Sequence, residues 1–373
     1  MRIEPFAMER WQSTWEHRVA FNLSESGVHP LSVAELLALE GESPAPAPDA
    51  LVRLRLGYMQ GNGAAELRER IALVYPGADI ENVLVTTGSS EANFLAALVL
   101  LEPGDLVAFM TPNYLQLRGL AVAWGGAVTD VPLREELGWE AEPDDLDRAI
   151  TKKTKLVVVT NPNNPTGKVL GPKFLDRVAA AASRVGAWVL SDEVYRGAER
   201  DGDESPSFWE RYDRLLVTGG LSKAYGLPGL RVGWVVSPDR SMIEKLWSYH
   251  DYSTICPTTL SEALATAALD PLRRRKILER TRGILRENFP VIRAWADQGA
   301  FAYHPPDAGA ILWVRYEGNE PSAEIAKRLR AEEDVLVVPG AHFGMEGYLR
   351  LGYGLPGEKL AAALERVTVC FRR

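Results

Sequence analysis

The residues best suited to chemistry lie in one run, Ser222-Lys223-Ala224-Tyr225-Gly226-Leu227-Pro228-Gly229-Leu230-Arg231-Val232-Gly233-Trp234, where a lysine sits beside a hydroxyl and eight residues ahead of an arginine. A lysine amine becomes a nucleophile toward carbonyl carbon when it is partly desolvated and close to other cations. The glycines and the proline punctuate a turn, so Lys223 and Arg231 can converge. Lys223 is therefore a candidate for covalent attachment to an aldehyde. Arg231 supplies a planar, permanently charged fork suited to phosphate. A lysine alone supports little, because most lysines are solvated surface charges.

Two more polar runs strengthen the pattern. Asn161-Pro162-Asn163-Asn164-Pro165-Thr166-Gly167 directly follows the apolar run Leu156 to Val159, and Ser191-Asp192-Glu193-Val194-Tyr195-Arg196-Gly197 directly follows Ala187 to Leu190. Each motif thus leaves the end of a buried strand. An aspartate there is costly without a cation, so Asp192 needs a positively charged partner or a helix terminus to cap. Gly88-Ser89-Ser90 joins the strand-like Val83 to Thr87 to the helical Ala92 to Leu101. Backbone N–H groups and the helix dipole then point at one spot, an anion seat. Taken alone, Ser89 and Ser90 fit ordinary helix capping as well.

With these blocks in order, the chain resembles the class I/II aminotransferases, fold type I enzymes that use pyridoxal 5'-phosphate, over nearly its whole length. The resemblance implies an α/β fold with a mainly parallel mixed sheet between helices and a smaller α/β domain. It implies that Lys223 forms a Schiff base with the cofactor and that Asp192 pairs with the protonated pyridine nitrogen. Asn164 and Tyr195 are similar to the pair that bonds the ring's phenolic oxygen, and Tyr114 to the aromatic stacked on the ring. Gly88, Ser89, Ser90, Ser222 and Arg231 would grip the phosphate. The family often has Ser or Thr three residues before the lysine; here it is Gly220, with Thr218 as the possible substitute. Arg350, in Leu349-Arg350-Leu351-Gly352-Tyr353-Gly354, resembles the arginine that binds the substrate carboxylate. Gly27, in Ser24-Glu25-Ser26-Gly27-Val28-His29, resembles the loop that closes over substrate. Tyr58, in Tyr58-Met59-Gln60-Gly61-Asn62-Gly63, resembles a tyrosine that reaches the neighbouring subunit's phosphate, which implies a homodimer. Arg231 and the protonated ring are expected to depress the Lys223 pKa.

The implied reaction moves the amino group of an α-amino acid to a 2-oxo acid, with Lys223, Asp192 and Tyr195 at its centre. A second resemblance, carried by Ser26 to His29, Leu221 to Trp234 and Val335 to Gly340 with Phe343-Gly344, is to capreomycidine synthases. These enzymes eliminate and cyclise a hydroxylated arginine on the same cofactor. On that alternative, a lyase, cyclase or oxidase acting on an arginine-like amino acid, His29 faces the substrate. Glu25, Asp251 and Tyr252 are then candidate readers of a cationic side chain.

The elements that position these residues follow from periodicity. Strand-like runs at Val83 to Val85, Leu106 to Met110, Val128 to Val131, Leu156 to Val159, Trp188 to Leu190, Leu215 to Val217 and Val232 to Val236 alternate with helical patterns, the mark of an α/β domain. Ligands in that architecture collect at the carboxyl ends of strands, where the polar motifs sit. The segment Glu42 to Asp49, with alternating prolines, reads as a stiff extended linker and sets a boundary near residue 45. Residues 46–265 form the expected large cofactor-binding domain. Residues 1–45 and 266–373 form the smaller one, with an N-terminal arm and strands at Ala310 to Val314 and Val335 to Val338.

At 373 residues the chain exceeds the size at which one core stops growing, so two domains around a cleft are expected. A net charge of −8 argues against nucleic acid or anionic membrane as partner. Two cysteines, Cys256 and Cys370, make neither a disulfide framework nor a metal pair. None of the five histidines has metal-ligand spacing, so no metal is expected. Gly61-Asn62-Gly63 lacks the third glycine and the preceding strand of a dinucleotide fingerprint. Met1 to Arg10 lacks the apolar stretch of a signal peptide and no run could span a bilayer, so the cytoplasm is the expected compartment.

Overall fold

Eight strands form the central sheet of the computed structural model, which describes residues 3–299 and 301–372. Met1 and Arg2, part of the N-terminal stretch read for a signal peptide, lie outside the described residues. The spatial order is Val83–Thr86, Gly233–Val236, Leu215–Gly220, Trp188–Asp192, Thr154–Thr160, Leu106–Thr111, Ala127–Arg134 and Glu140–Ala141. From Leu215–Gly220 to Ala127–Arg134 all neighbours are parallel. Gly233–Val236 runs antiparallel to both of its neighbours, and Glu140–Ala141 is antiparallel to Ala127–Arg134. Every residue of Val83–Thr86, Trp188–Asp192 and Leu215–Gly220 is buried. Sheets covered on both faces demand such continuous apolar runs. Successive side chains feed opposite faces: Val157, Val159, Val189 and Val217 enter one core cluster, while Leu156, Val158, Leu190 and Leu216 enter the other.

The seven expected strands of this sheet are all present. Glu140–Ala141 went unread because two residues carry no periodicity. A smaller antiparallel sheet has the order Ala302–Tyr303, Ile311–Arg315, Tyr348–Gly352, Val338–Pro339. The run Val335 to Val338, read as one strand, is two. Val335–Leu336 pairs in parallel with Phe21–Asn22, while Val338–Pro339 pairs with Tyr348–Gly352, so the chain changes partner at Val337. The N-terminal arm is thereby stitched to the C-terminal part of the chain.

The proline-rich segment is docked, and part of it is helical (Pro48–Val52). Asp270 accepts the N–H groups of Glu42 and Ser43, each at 2.8 Å, and Arg273 donates to the carbonyls of Leu39, Ser43 and Ala267. Asp270 also caps the helix Pro271–Gln298, whose length carries Arg280 toward the cleft. Among the described residues no helix is long and apolar enough to cross a membrane.

Candidate active site

A cavity of about 540 Å³ opens at the carboxyl ends of the parallel strands. At one end, Ser89 and Ser90 begin the helix Ser89–Leu100, and Ser222 and Arg231 face them. Gly88 caps this helix at φ 77°, and a Cβ there would lie 2.5 Å from an Arg231 nitrogen. Glycine therefore lets the guanidinium rest on the helix N-terminus. Arg231 itself has φ 51°, an uncommon conformation for a residue with a side chain. Its guanidinium donates to the Pro228 carbonyl at 3.0 Å and lies 3.4 Å from the Ser222 hydroxyl. Two cationic or dipolar positive ends and three hydroxyls thus converge where an anion is favoured.

Thr218 does not join this seat. Its hydroxyl donates to Asn93 Oδ1 at 3.2 Å, and Asn93 Nδ2 donates to Asp192 Oδ2 at 3.3 Å. A Cβ at Gly220 would come 3.8 Å from Ser89 Cβ, so it is position 220, without a side chain, that borders the seat.

Asp192 sits on the cavity floor at the end of its strand, fully within the protein, with the Val194 N–H at 3.3 Å as its other partner. Burial pushes its carboxyl up to about 6, and the bonds from Val194 and Asn93 only partly counter that. Neither bonding partner is a cation, so the site is built for a positive group that enters from the cavity.

Lys223 also lines the cavity, and its Nζ lies 2.7 Å from Glu25 Oε1. Burial alone would lower its pKa, but the Glu25 charge, Tyr195 and the Glu25 hydrogen bond outweigh it, and the amine is held above its ordinary value. Without the cofactor's protonated ring in place, the Glu25 carboxylate in direct contact thus outweighs the opposing charge of Arg350. Tyr195 donates to Ser26 Oγ at 2.8 Å. Arg350, almost fully buried, donates to Asn164 Oδ1 at 2.9 Å and to the Ser24 carbonyl at 2.5 Å. Its Nε has no hydrogen-bond partner among the described residues. Tyr114 lines the wall, with its hydroxyl donating to Glu9 at 2.9 Å and its ring edge-on to Phe6.

A match to the family model described as aminotransferase class I and II covers residues 35–367. The chain belongs to the class I and II aminotransferases. It is 33% identical to capreomycidine synthase of Streptomyces vinaceus, over 97% of this chain and 92% of that protein. It is 30% identical to an aspartate aminotransferase of Streptomyces avermitilis, over 88% and 86%. The crystal structure of a PLP-dependent aminotransferase from Streptococcus suis superimposes with a TM-score of 0.92 at 32% identity, covering 100% of this chain and 99% of that one. The aspartate aminotransferase from Thermus thermophilus with maleate superimposes with a TM-score of 0.88 at 26% identity, over 99% and 97%. The cofactor is accordingly pyridoxal 5'-phosphate and the reaction class is amino-group transfer. The residues present fit that cofactor: an anion seat at one end, a buried carboxyl that lacks a cation beneath the middle, and an amine on the wall.

Of the residues read from sequence, Ser89, Ser90, Tyr114, Asn164, Asp192, Tyr195, Ser222, Lys223, Arg231 and Arg350 line this one cavity. Gly88 and Gly27 border it, the latter with its Cβ direction 3.2 Å from the Ser222 carbonyl. His29 does not line it: Arg280 donates to the His29 carbonyl at 3.0 Å and lies 2.9 Å from Nδ1. The side chain after the closing loop is thus engaged by the long helix. Tyr58 is exposed, in a separate groove with Leu56, Thr254 and Leu260, and Asp251 and Tyr252 are exposed outside the cavity. Glu25 does line it, but against Lys223. Sequence reading missed Asn93, a polar residue in an apolar helix, and the helix Ala7–Trp15, which brings Glu9 and Gln12 to the cavity rim beside Glu16.

Proposed function

We propose that the amino donor is an α-amino acid with a cationic side chain, that Lys223 carries the cofactor and moves the α-proton, and that the active unit is a homodimer. One observation carries the donor assignment. The cations lining the cavity, among the described residues, are Lys223, Arg231 and Arg350. Phosphate takes Arg231, the substrate carboxylate takes Arg350, and Glu25 pairs with Lys223. Glu9 and Glu16 are left at the rim, Glu9 bonded to Tyr114 and within the field of Arg350 and Glu16 3.5 Å from the His17 ring, and two acids there disfavour a dicarboxylate and favour a guanidinium or ammonium.

The bound cofactor supplies an electron sink for the pair left when the substrate's Cα–H bond breaks. Arg231, Ser89, Ser90 and Ser222 hold its phosphate. Asp192, braced by Asn93, would face the ring nitrogen and favour its protonated form. Asn164 and Tyr195 orient the ring, and Arg350 offers its unpaired Nε, with its neighbours, to the α-carboxylate. Lys223 Nζ would take the proton from the substrate's α-carbon and hold it for return.

A single-turnover assay against a panel of amino acids, with oxygen monitored and no acceptor added, tests this. Arginine, ornithine or lysine should convert the bound cofactor once and release one equivalent of 2-oxo acid, while aspartate and glutamate lag. Glu9→Gln and Glu16→Gln should each lower kcat/KM for the cationic donor by about tenfold or more, the worth of one charge-assisted hydrogen bond. Preference for aspartate would overturn the donor assignment. The likeness to capreomycidine synthase favours a second reading, elimination and cyclisation or oxidation of an arginine-like donor. Continued product release without acceptor, with oxygen uptake for oxidation or none for elimination, would establish it.

Support for the homodimer comes from Val52, Leu56, Tyr58, Tyr252, Ile255 and Leu260, all exposed and apolar or aromatic. Of these Leu56, Tyr58 and Leu260 share one groove, and contiguous exposed apolar surface marks interaction sites. Sedimentation should give twice the chain mass, and Tyr58→Phe should weaken cofactor retention. A fully active monomer would refute the assignment.

A further inference from the structure

We propose that Glu25 is the positioning residue for Lys223, fixing its amine and compensating the charge it acquires on taking the α-proton. The inference rests on the role of Lys223 argued above. The contact is 2.7 Å, and the same Oε1 accepts the N–H groups of Ser26 at 2.8 Å and Gly27 at 3.0 Å. Three donors on one oxygen hold the carboxylate in place. Its backbone is pinned as well: Leu23 donates to the Leu336 carbonyl at 2.8 Å, Gly352 to the Leu23 carbonyl at 2.6 Å and His29 to the Gly354 carbonyl at 2.8 Å. A Cβ on Gly352 would stand 1.9 Å from the Glu25 carbonyl oxygen, so that glycine is what admits the loop. Glu25 is thus built into the wall and is not a surface acid that swings in.

The chemistry asks for such a group. When the Cα–H bond breaks, its electron pair stays with the substrate carbon and the proton forms an N–H bond at Nζ. The amine turns from neutral to cationic beside the Glu25 carboxylate. A fixed carboxylate strengthens the base and stabilises the product of that step, as an orienting acid does in a catalytic triad. The Glu25 carboxylate suits this. Burial would raise its pKa, but the Lys223 charge and the bonds from Lys223, Gly27 and Ser26 hold it near 2. Around Nζ, Tyr195 supports the positive charge and Arg350 opposes it, while Asp192 and Arg231 stand farther along the cavity.

Two readouts test the assignment. In cofactor-free full-length protein, the pH dependence of Lys223 acetylation by acetic anhydride, followed by peptide mass spectrometry, reports protonation of Nζ without turnover. Glu25→Gln should lower the half-point by about one pH unit or more, the usual effect of removing an opposite charge in contact. In the loaded enzyme, the rising limb of the single-turnover rate should move the same way, its plateau should fall by about tenfold or more, and Glu25→Asp should recover part of it. A natively folded Glu25→Gln protein with an unmoved acetylation half-point would overturn the proposal. Turnover that survives loss of Lys223 would overturn the functional reading instead.

Discussion

Lys223→Ala is expected to lower the single-turnover rate by about 10⁴-fold or more, the upper range for loss of a positioned general base. The expectation follows from what else the cavity offers. Its other lining cations are the arginines Arg231 and Arg350, and a guanidinium neither attacks a carbonyl nor gives up a proton near neutral pH. The Tyr195 hydroxyl already donates to Ser26, and burial raises its pKa despite the opposing charges of Lys223 and Arg350. Among the described residues no second amine lines the cavity. The cofactor should still bind, because the phosphate seat and Asp192 are untouched, but borohydride reduction should leave no pyridoxyl adduct on any peptide of the variant. An added primary amine should restore a fraction of the rate by acting as a diffusible base. A variant that keeps covalent cofactor and turnover would remove Lys223 from the mechanism.

The parts of this site legible in the sequence are those carried by short, contiguous runs. Asn164, Asp192, Tyr195 and Lys223 each sit within a few residues of a buried strand, and the parallel sheet brings the ends of such strands to one edge by topology alone. Ser89 with Ser90 was legible for the same reason, since a glycine and two serines between a strand and a helix specify a helix N-terminus. What escaped depends on chain segments far apart. Glu25 meets Lys223 across 198 residues, and Asn93 meets Asp192 across 99. Neither pairing leaves a local signal. The helix Ala7–Trp15 reaches the cavity only because Phe21–Asn22 pairs with Val335–Leu336 and Trp11 donates to the Val337 carbonyl. His29 lies two residues after Gly27, yet Arg280 on the long helix engages its ring and carbonyl, a contact across 251 residues that leaves no local signal.

Asp192→Asn should move activity and stability in opposite directions. Activity should fall by about 10³-fold, as when a preorganised electrostatic partner is lost, because a neutral amide cannot hold a proton on the ring nitrogen. The cofactor-free protein should become more stable at neutral pH. In the native protein burial lifts this carboxyl from an ordinary 3.8 to about 6, so the folded state binds the proton more tightly than the unfolded chain. Stability contributed by the protonated form is complete below about pH 4 and is lost as pH rises through about 6. The difference of roughly two pH units corresponds to about 3 kcal/mol. Asparagine carries no titrating proton, so in urea unfolding the gap between variant and wild type should be small at pH 4.5 and widen toward pH 8. Comparing the two proteins at each pH cancels groups of opposite sign, such as Glu25 and Asp270, whose carboxyls are held near 2. A variant no more stable than wild type at pH 8 would mean that Asp192 is already compensated without cofactor. A variant more stable and nearly inactive would mean that the buried charge is kept for the cation the cofactor brings.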